Sequence, residues 1–246
     1  MNYHWNWSIF WDMSPDGSGT YLYTMVRGVG WTLSVSAVAW IIALVMGVII
    51  GVMRTGHIAW LRKLGTAYVE LFRNVPLLVQ LFLWYFVFPE VVPKGLGDWI
   101  KSADPTISTY WTAVVCLGLF TSIRVAEQIR AGIGSIPRGQ SMAATALGLG
   151  RMQVYRYVLL PITARIIMPP LTSEALNLIK NTSVAFTVGL LEITGAARSM
   201  QEFSFQIFEP FAAATVLYFI INTVVVSLMR VIEKWFSVPG FAGGKR

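Results

Sequence analysis

The chain has 246 residues, of which 55% are hydrophobic and 13% are charged, with a net charge of +7. Soluble globular domains carry about 25% charged residues, so this composition argues against a soluble enzyme and a disordered chain. A single cysteine cannot form an internal disulfide, and the two histidines lie far apart in the sequence. We therefore expect neither a disulfide scaffold nor a metal site, and no catalytic residues.

Five segments are apolar and long enough to cross a membrane, for which a helix needs about 20 mainly apolar residues. We predict an all-α membrane protein with an N-terminal extracytoplasmic or interfacial segment at residues 1–26, a transmembrane domain at 27–235 and a tail at 236–246. The predicted spans cover residues 28–53, 64–89, 109–130, 164–190 and 210–230, and the loop between the third and fourth spans covers 131–163.

The distribution of basic residues gives the orientation. Three alternate connecting segments, 54–63, 130–165 and 230–246, hold twelve Lys and Arg, whereas the other set holds four. Cytoplasmic loops carry the excess of basic residues. The N-terminus is therefore predicted outside and the C-terminus in the cytoplasm.

Two pairs of ionisable residues lie three positions apart within predicted spans. Glu70 could neutralise Arg73, and Arg124 could neutralise Glu127, because such a spacing places both side chains on one helix face. For Arg124 and Glu127 we favour this local pairing. Arg73 could alternatively pair with Glu174 or meet a substrate carboxylate.

A polar stripe marks the predicted fourth span. Glu174, Asn177 and Asn181 share a helix face, with Lys180 beside them. The preceding Pro169-Pro170 is expected to bend or break the helix. The stripe is a candidate substrate path, but polar side chains also join membrane helices to one another, and the sequence leaves both interpretations open.

The loop 131–163 carries arginines and no acidic residue. It is predicted to form two short helices around Gly148 and Gly150, the second ending at Pro161. Helix-turn-helix DNA binding is an alternative, but the pair has no third helix to give it a core. A docking surface for a cytoplasmic partner fits better.

This loop resembles the signature of ATP-binding-cassette importer permeases, which reads Glu-Ala-Ala, three residues, Gly, nine residues, Ile, any residue, Leu-Pro. The positions that match are Ala143, Ala144, Gly148, Val158, Leu160 and Pro161, while Met142 replaces the family's Glu. Residues 70–80, ELFRNVPLLVQ, and 180–183, KNTS, resemble the polar amino-acid subfamily, and three longer stretches look most like glutamate/aspartate permeases. The tail, with Pro239-Gly240 and residues 243–245, fits as well.

The resemblance implies a type I importer permease. Its partners would be a second permease subunit, two cytoplasmic ATPase subunits and an extracytoplasmic amino-acid-binding protein, with Ala143, Ala144, Gly148, Leu160 and Pro161 in the ATPase-coupling loop. The chain has no Gly-x-x-x-x-Gly-Lys-Ser/Thr motif, so it needs no cofactor of its own and ATP would be bound by the partners. No nucleic acid is expected.

Other functions are less compatible with the sequence. An intramembrane serine protease would need a buried base, and His4 and His57 both lie outside the predicted spans. The spans alone would also suit a passive channel or a structural subunit, although the coupling-type loop argues against both. Glutamate or aspartate is the predicted substrate, with glutamine, asparagine or another polar amino acid as the alternative.

Overall fold

The structure is a computed structural model that describes residues 3–15, 17 and 19–236. It confirms the predicted all-α fold class. Within the described residues, the only β-type pairing is an isolated bridge between Met13 and Thr20. The predicted tail motif at 239–245 lies outside the described residues.

Nine helices account for most of the described chain, apart from a four-residue α-helical turn, Arg151–Val154, and short 3₁₀ and π-helical turns. They are α1 Tyr21–Thr55, α2 Ala59–Arg73, α3 Leu77–Val91, α4 Lys94–Ser102, α5 Pro105–Ser135, α6 Arg138–Ala146, α7 Leu160–Asn181, α8 Ile193–Ser204 and α9 Phe208–Phe236.

By length and apolarity, three of the described helices can cross a membrane: α1, α5 and α9. A fourth span results if α2 and α3, which meet at an angle of 101°, are counted together. The predicted fourth span, 164–190, is not among them. There, α7 ends at Asn181 and the chain continues as a 3₁₀ helix, Thr182–Val188.

The angle between α2 and α3 follows from a proline. Pro76 is the N-cap of α3, with ψ near 143°, and Asn74 ends α2. A residue that precedes proline is pushed out of the helical region, so the chain cannot run straight from one helix into the other. The second predicted span is therefore two helices rather than one.

Prolines inside the helices do not end them, so the predicted helix end at Pro161 is wrong. A π-helical turn, Tyr155–Leu159, ends two residues before Pro161, and Leu83–Val87 ends two residues before Pro89. Proline has no backbone N–H to donate to the preceding turn. A π-turn shifts the hydrogen-bond partners by one residue, so the helix can continue past the proline. Pro169 and Pro170 also lie inside α7, which continues without interruption to Asn181.

The described residues form two compact units. The first contains the chain up to Trp40, Val75–Gly118 and Asn177–Val224. One of its cores consists of Leu81, Cys116 and Val188.

The second unit contains Ile41–Asn74, Leu119–Leu176 and the chain from Val225 onward. Here α1 packs closely against α5. A Cβ atom added to Gly47 would lie 2.4 Å from Val125, and one added to Gly51 would lie 2.6 Å from Ile129. Small residues spaced in this way allow membrane helices to approach closely.

Candidate functional site

A charged cavity of about 350 Å³ lies within the second unit. It is built from the end of α2, the middle of α5 and one residue of α7. Its lining residues are Arg73, Phe120, Ile123, Arg124, Glu127, Gln128 and Glu174. Four of these seven are ionisable, in a part of the chain that is otherwise strongly apolar, so the cavity is the clearest candidate site.

Glu174 is the most buried charged group of the cavity wall, with its side chain 12% exposed. Its Oε2 atom lies 3.5 Å from Nη1 of Arg124, whose guanidinium also approaches the ring of Phe120. The sequence suggested Arg73 as a partner for Glu174. The observed partner is Arg124, which α5 presents to α7.

Glu127 is held by two arginines. Its Oε1 accepts a hydrogen bond from Nη1 of Arg54 at 2.5 Å, and its Oε2 accepts one from Nε of Arg130 at 2.9 Å. The predicted local pairing of Arg124 with Glu127 is therefore wrong. Arg54 lies at the end of α1, 73 positions before Glu127 in the sequence, and pairs with it. Arg124 therefore pairs with Glu174 instead.

Arg73 lines the cavity without an ion-pair partner. Its side chain is exposed, and in the described part of the chain no carboxylate oxygen lies within 4 Å of its guanidinium. The predicted pairing with Glu70 is not formed. Around the cavity, four guanidinium groups are therefore balanced by two carboxylates, which leaves an excess of positive charge.

The other residues of the predicted polar stripe do not line this cavity. Asn177, Lys180 and Asn181 belong to the first unit. Lys180 is exposed, while the two asparagines are half-buried. The structure thus brings Arg73 and Glu174 to one cavity and leaves the remaining three residues outside it.

The predicted coupling loop ends its first helix in a Schellman motif. After α6, Gly148 adopts φ +83°, its N–H donates to Thr145 O at 2.9 Å, and Leu149 N–H donates to Ala144 O at 3.2 Å. Glycine takes this left-handed conformation without the steric cost borne by other residues. The predicted turn at Gly148 is confirmed.

The loop has a buried face and an exposed face. Ala144 is buried with Ile136, Val154 and Leu159. Ala143 and Gly148 are exposed, Leu160 is half-buried and Pro161 is exposed. The exposed face also carries three large apolar side chains: Met142 (69% exposed), Leu147 (84%) and Met152 (79%).

A direct hydrogen bond links this loop to the end of α1. The hydroxyl of Tyr155 donates to the backbone carbonyl of Thr55 at 2.9 Å. Thr55 is adjacent to Arg54, which binds Glu127 in the cavity wall. The predicted coupling loop and the charged cavity are therefore connected through two consecutive residues of α1.

The sequence did not predict the contacts of Arg54 with Glu127 or of Tyr155 with Thr55. Arg54 directly follows the charge-free span, so the sequence predicts that it belongs to a connecting segment, yet α1 continues through it. Tyr155 carries no signal for a contact 100 positions away. Among the described residues, no group of His, Cys, Asp or Glu is arranged to hold a metal ion.

The profile of one protein family, described as "Binding-protein-dependent transport system inner membrane component", matches residues 22–238. The glutamate/aspartate import permease protein GltJ of Escherichia coli (strain K12) is 46% identical over the whole of both chains. The octopine transport system permease protein OccM of Rhizobium radiobacter is 31% identical, covering 87% of this chain and 86% of the relative.

Two solved structures have a similar fold. An amino acid ABC transporter with histidines has 28% sequence identity and a TM-score of 0.73, covering 87% of this chain and 94% of that one. The MetNI methionine ABC transporter, in an inward-facing conformation, has 22% identity and a TM-score of 0.72, covering 88% and 98%. The second similarity concerns the fold alone.

Proposed function

The chain belongs to the binding-protein-dependent transport system inner membrane component family, and we propose that it is the permease subunit of an ATP-driven importer for glutamate and aspartate. The full-length similarity to a glutamate/aspartate import permease supports this substrate class. The observation that carries the proposal is the guanidinium of Arg73, which has no ion-pair partner among the described residues and lines a cavity with excess positive charge.

The charge of the cavity favours an acidic substrate. An acidic amino acid brings two carboxylates and one ammonium group. Arg73 can hold a carboxylate through two parallel hydrogen bonds, and Glu174 lies on the same cavity wall as a counter-ion for the ammonium. A neutral amino acid such as glutamine would leave the excess positive charge uncompensated, although relatives include a probable glutamine permease 33% identical to the chain.

ATP hydrolysis is assigned to separate subunits. The chain has no phosphate-binding Gly-x-x-x-x-Gly-Lys-Ser/Thr sequence, and it would work with a second permease subunit, two ATPase subunits and an extracytoplasmic binding protein. The loop that contains Ala143, Ala144 and Gly148 would dock on the ATPase. Its exposed apolar side chains and its lack of acidic residues suit an apolar cleft with an acidic rim.

Movement of the docked loop would reach the cavity through α1. The hydrogen bond from Tyr155 to Thr55 and the ion pair between Arg54 and Glu127 join the loop to the cavity wall by short polar contacts. A shift of the loop on ATP binding would therefore be transmitted to Glu127. The excess of Lys and Arg in three alternate connecting segments favours an orientation in which these segments face the ATPase. The N-terminus would then lie outside and the C-terminus in the cytoplasm, across a bacterial inner membrane.

The experiment is to reconstitute the complex in lipid nanodiscs and to measure ATPase activity with its binding protein. Glutamate and aspartate are compared with glutamine and asparagine at saturating concentration. We expect stimulation by the two acidic amino acids. Stimulation by glutamine without stimulation by glutamate would contradict the proposal.

A further inference from the structure

The candidate substrate site belongs to the second unit. The first unit contains two other cavities, which adjoin one another and differ in polarity. They lie where α3 ends and α5 begins, under the short helix α4. The larger has a volume of about 460 Å³ and the smaller about 290 Å³. Both cavities are lined by Ile100, Ala103 and Ser108, so they adjoin one another, and we call the two together the groove.

The larger cavity is apolar and rich in tryptophan. Trp84, Phe88, Trp99 and Trp111 contribute to its wall. Trp99 is 69% exposed and Trp111 is 53% exposed, so the cavity opens at the surface of the chain. Tryptophan is enriched where membrane helices meet the lipid headgroups, and α3 and α5 both belong to candidate membrane spans.

The smaller cavity carries one positive and one negative charge. Nζ of Lys101 lies 2.8 Å from Oε1 of Glu90, and both side chains are exposed. The hydroxyl-bearing residues Tyr85 and Ser108 complete the polar part of its lining. A ligand whose own head has an anionic and a cationic group could exchange this internal pair for two intermolecular ones.

We propose that this groove binds a phospholipid with an ethanolamine headgroup. An acyl chain occupies the tryptophan-lined cavity, the phosphate binds Lys101 and the ammonium donates to Glu90. The order of the two cavities matches the order of chain and head in the lipid, and the location at a membrane-span end matches the depth of the headgroups. This proposal is independent of the transported substrate.

The test is native mass spectrometry of the full-length chain, purified in detergent with the subunits that accompany it and stripped of lipid. Phosphatidylethanolamine and phosphatidylcholine with identical acyl chains are added in parallel. Phosphatidylcholine has no N–H donor for Glu90. We expect one phosphatidylethanolamine bound per copy of the chain and about tenfold weaker binding of phosphatidylcholine, the effect of one lost hydrogen bond to a charged group.

Two pairs of variants locate the site. Ala103→Trp fills the junction of the cavities and should abolish binding, whereas Leu96→Trp places the same side chain on α4 at a position that lines neither cavity. Lys101→Ala should weaken phosphatidylethanolamine binding about tenfold. Arg198→Ala, which removes another exposed cation of a surface ion pair, should leave it unchanged.

Three results would overturn the proposal. One is equal binding of the two lipids, and another is undiminished binding to Ala103→Trp in a variant that purifies with its subunits as the wild type does. The third is efficient disulfide cross-linking of Trp99→Cys to a cysteine in a second permease subunit, because the groove would then be covered by protein rather than lipid.

Discussion

Tyr155, in the exposed loop, donates a hydrogen bond to the carbonyl of Thr55 at the end of α1, 100 positions earlier in the chain. The carbonyl belongs to the last turn of a helix, where backbone oxygens have no intrahelical partner. The contact therefore satisfies an acceptor that the helix leaves open. It also joins the loop to the helix that carries Arg54.

Removing the Tyr155 hydroxyl should weaken the coupling between ATP hydrolysis and transport more than it lowers the stability of the chain. Tyr155→Phe keeps the ring in its apolar surroundings and removes one hydrogen bond, with a stability cost of about 1 kcal/mol. We expect the variant to assemble and to hydrolyse ATP, but with more ATP consumed per amino acid imported. Tyr157→Phe, at an exposed position of the same turn, is the control. An unchanged ratio of hydrolysis to uptake in Tyr155→Phe would remove the contact from the coupling route.

A bulky residue at Gly148 should stop transport. The residue has φ +83°, and a non-glycine side chain in this region costs about 1–2 kcal/mol and would project into open space on the docking face. Gly148→Trp is expected to reach the membrane without binding the ATPase, as measured by co-purification. Gly30→Trp adds the same bulk where there is also open space, outside the loop. Normal uptake by Gly148→Trp would refute the docking assignment.

The close approach of α1 and α5 should make Gly51 intolerant of larger residues. A Cβ at this position would lie 2.6 Å from Ile129, and overpacking of this kind costs about 1–3 kcal/mol. Gly51→Leu should lower the thermal unfolding temperature of the purified chain. Gly30→Leu, with open space around the glycine, should not. Equal unfolding temperatures in the two variants would contradict the observed packing.

We expect Glu192 to make the stability of the first unit depend on pH. Its carboxylate is fully buried, accepts hydrogen bonds from Gly195 N at 2.9 Å and from the Tyr218 hydroxyl at 2.6 Å, and caps α8. Burial raises the pKa of this carboxyl above its usual value of 4.5, against the opposing effect of the hydrogen bonds. Folding therefore shifts the equilibrium of this carboxyl toward its protonated form, relative to the unfolded chain.

The sign of the pH effect follows from that shift. The stabilisation is complete below the unfolded-state pKa and is lost as the pH rises through the higher folded-state pKa. We expect the unfolding temperature of Glu192→Gln to rise relative to the wild type between pH 4.5 and neutral pH. Glu202→Gln, an exposed carboxylate on the same helix, is the control. A difference between Glu192→Gln and the wild type that does not change with pH would contradict the shift.

The sequence predicted what depends on composition and local geometry. The all-α class follows from the apolar segments, and the turn at Gly148 follows from the need for a left-handed residue. The spacing of three residues predicted an ion pair between Arg124 and Glu127 that does not form, because Arg54, from a distant part of the chain, pairs with Glu127. The predicted helix end at Pro161 is wrong as well, because a π-turn before it lets the helix continue past a residue without an N–H. These outcomes depend on tertiary contacts, which local spacing does not encode.

Arg73 is proposed to bind a carboxylate of the acidic substrate. Uptake of radiolabelled glutamate into proteoliposomes should be measured for wild type, Arg73→Gln and Arg73→Lys, with Arg62→Gln as an exposed control on the same helix that does not line the cavity. We expect the uptake of Arg73→Gln to fall about tenfold or more, since charged hydrogen bonds contribute about 1.5–3 kcal/mol. Arg73→Lys should restore uptake only in part, and Arg62→Gln should leave it unchanged. Wild-type uptake by an assembled Arg73→Gln complex would contradict this role of Arg73.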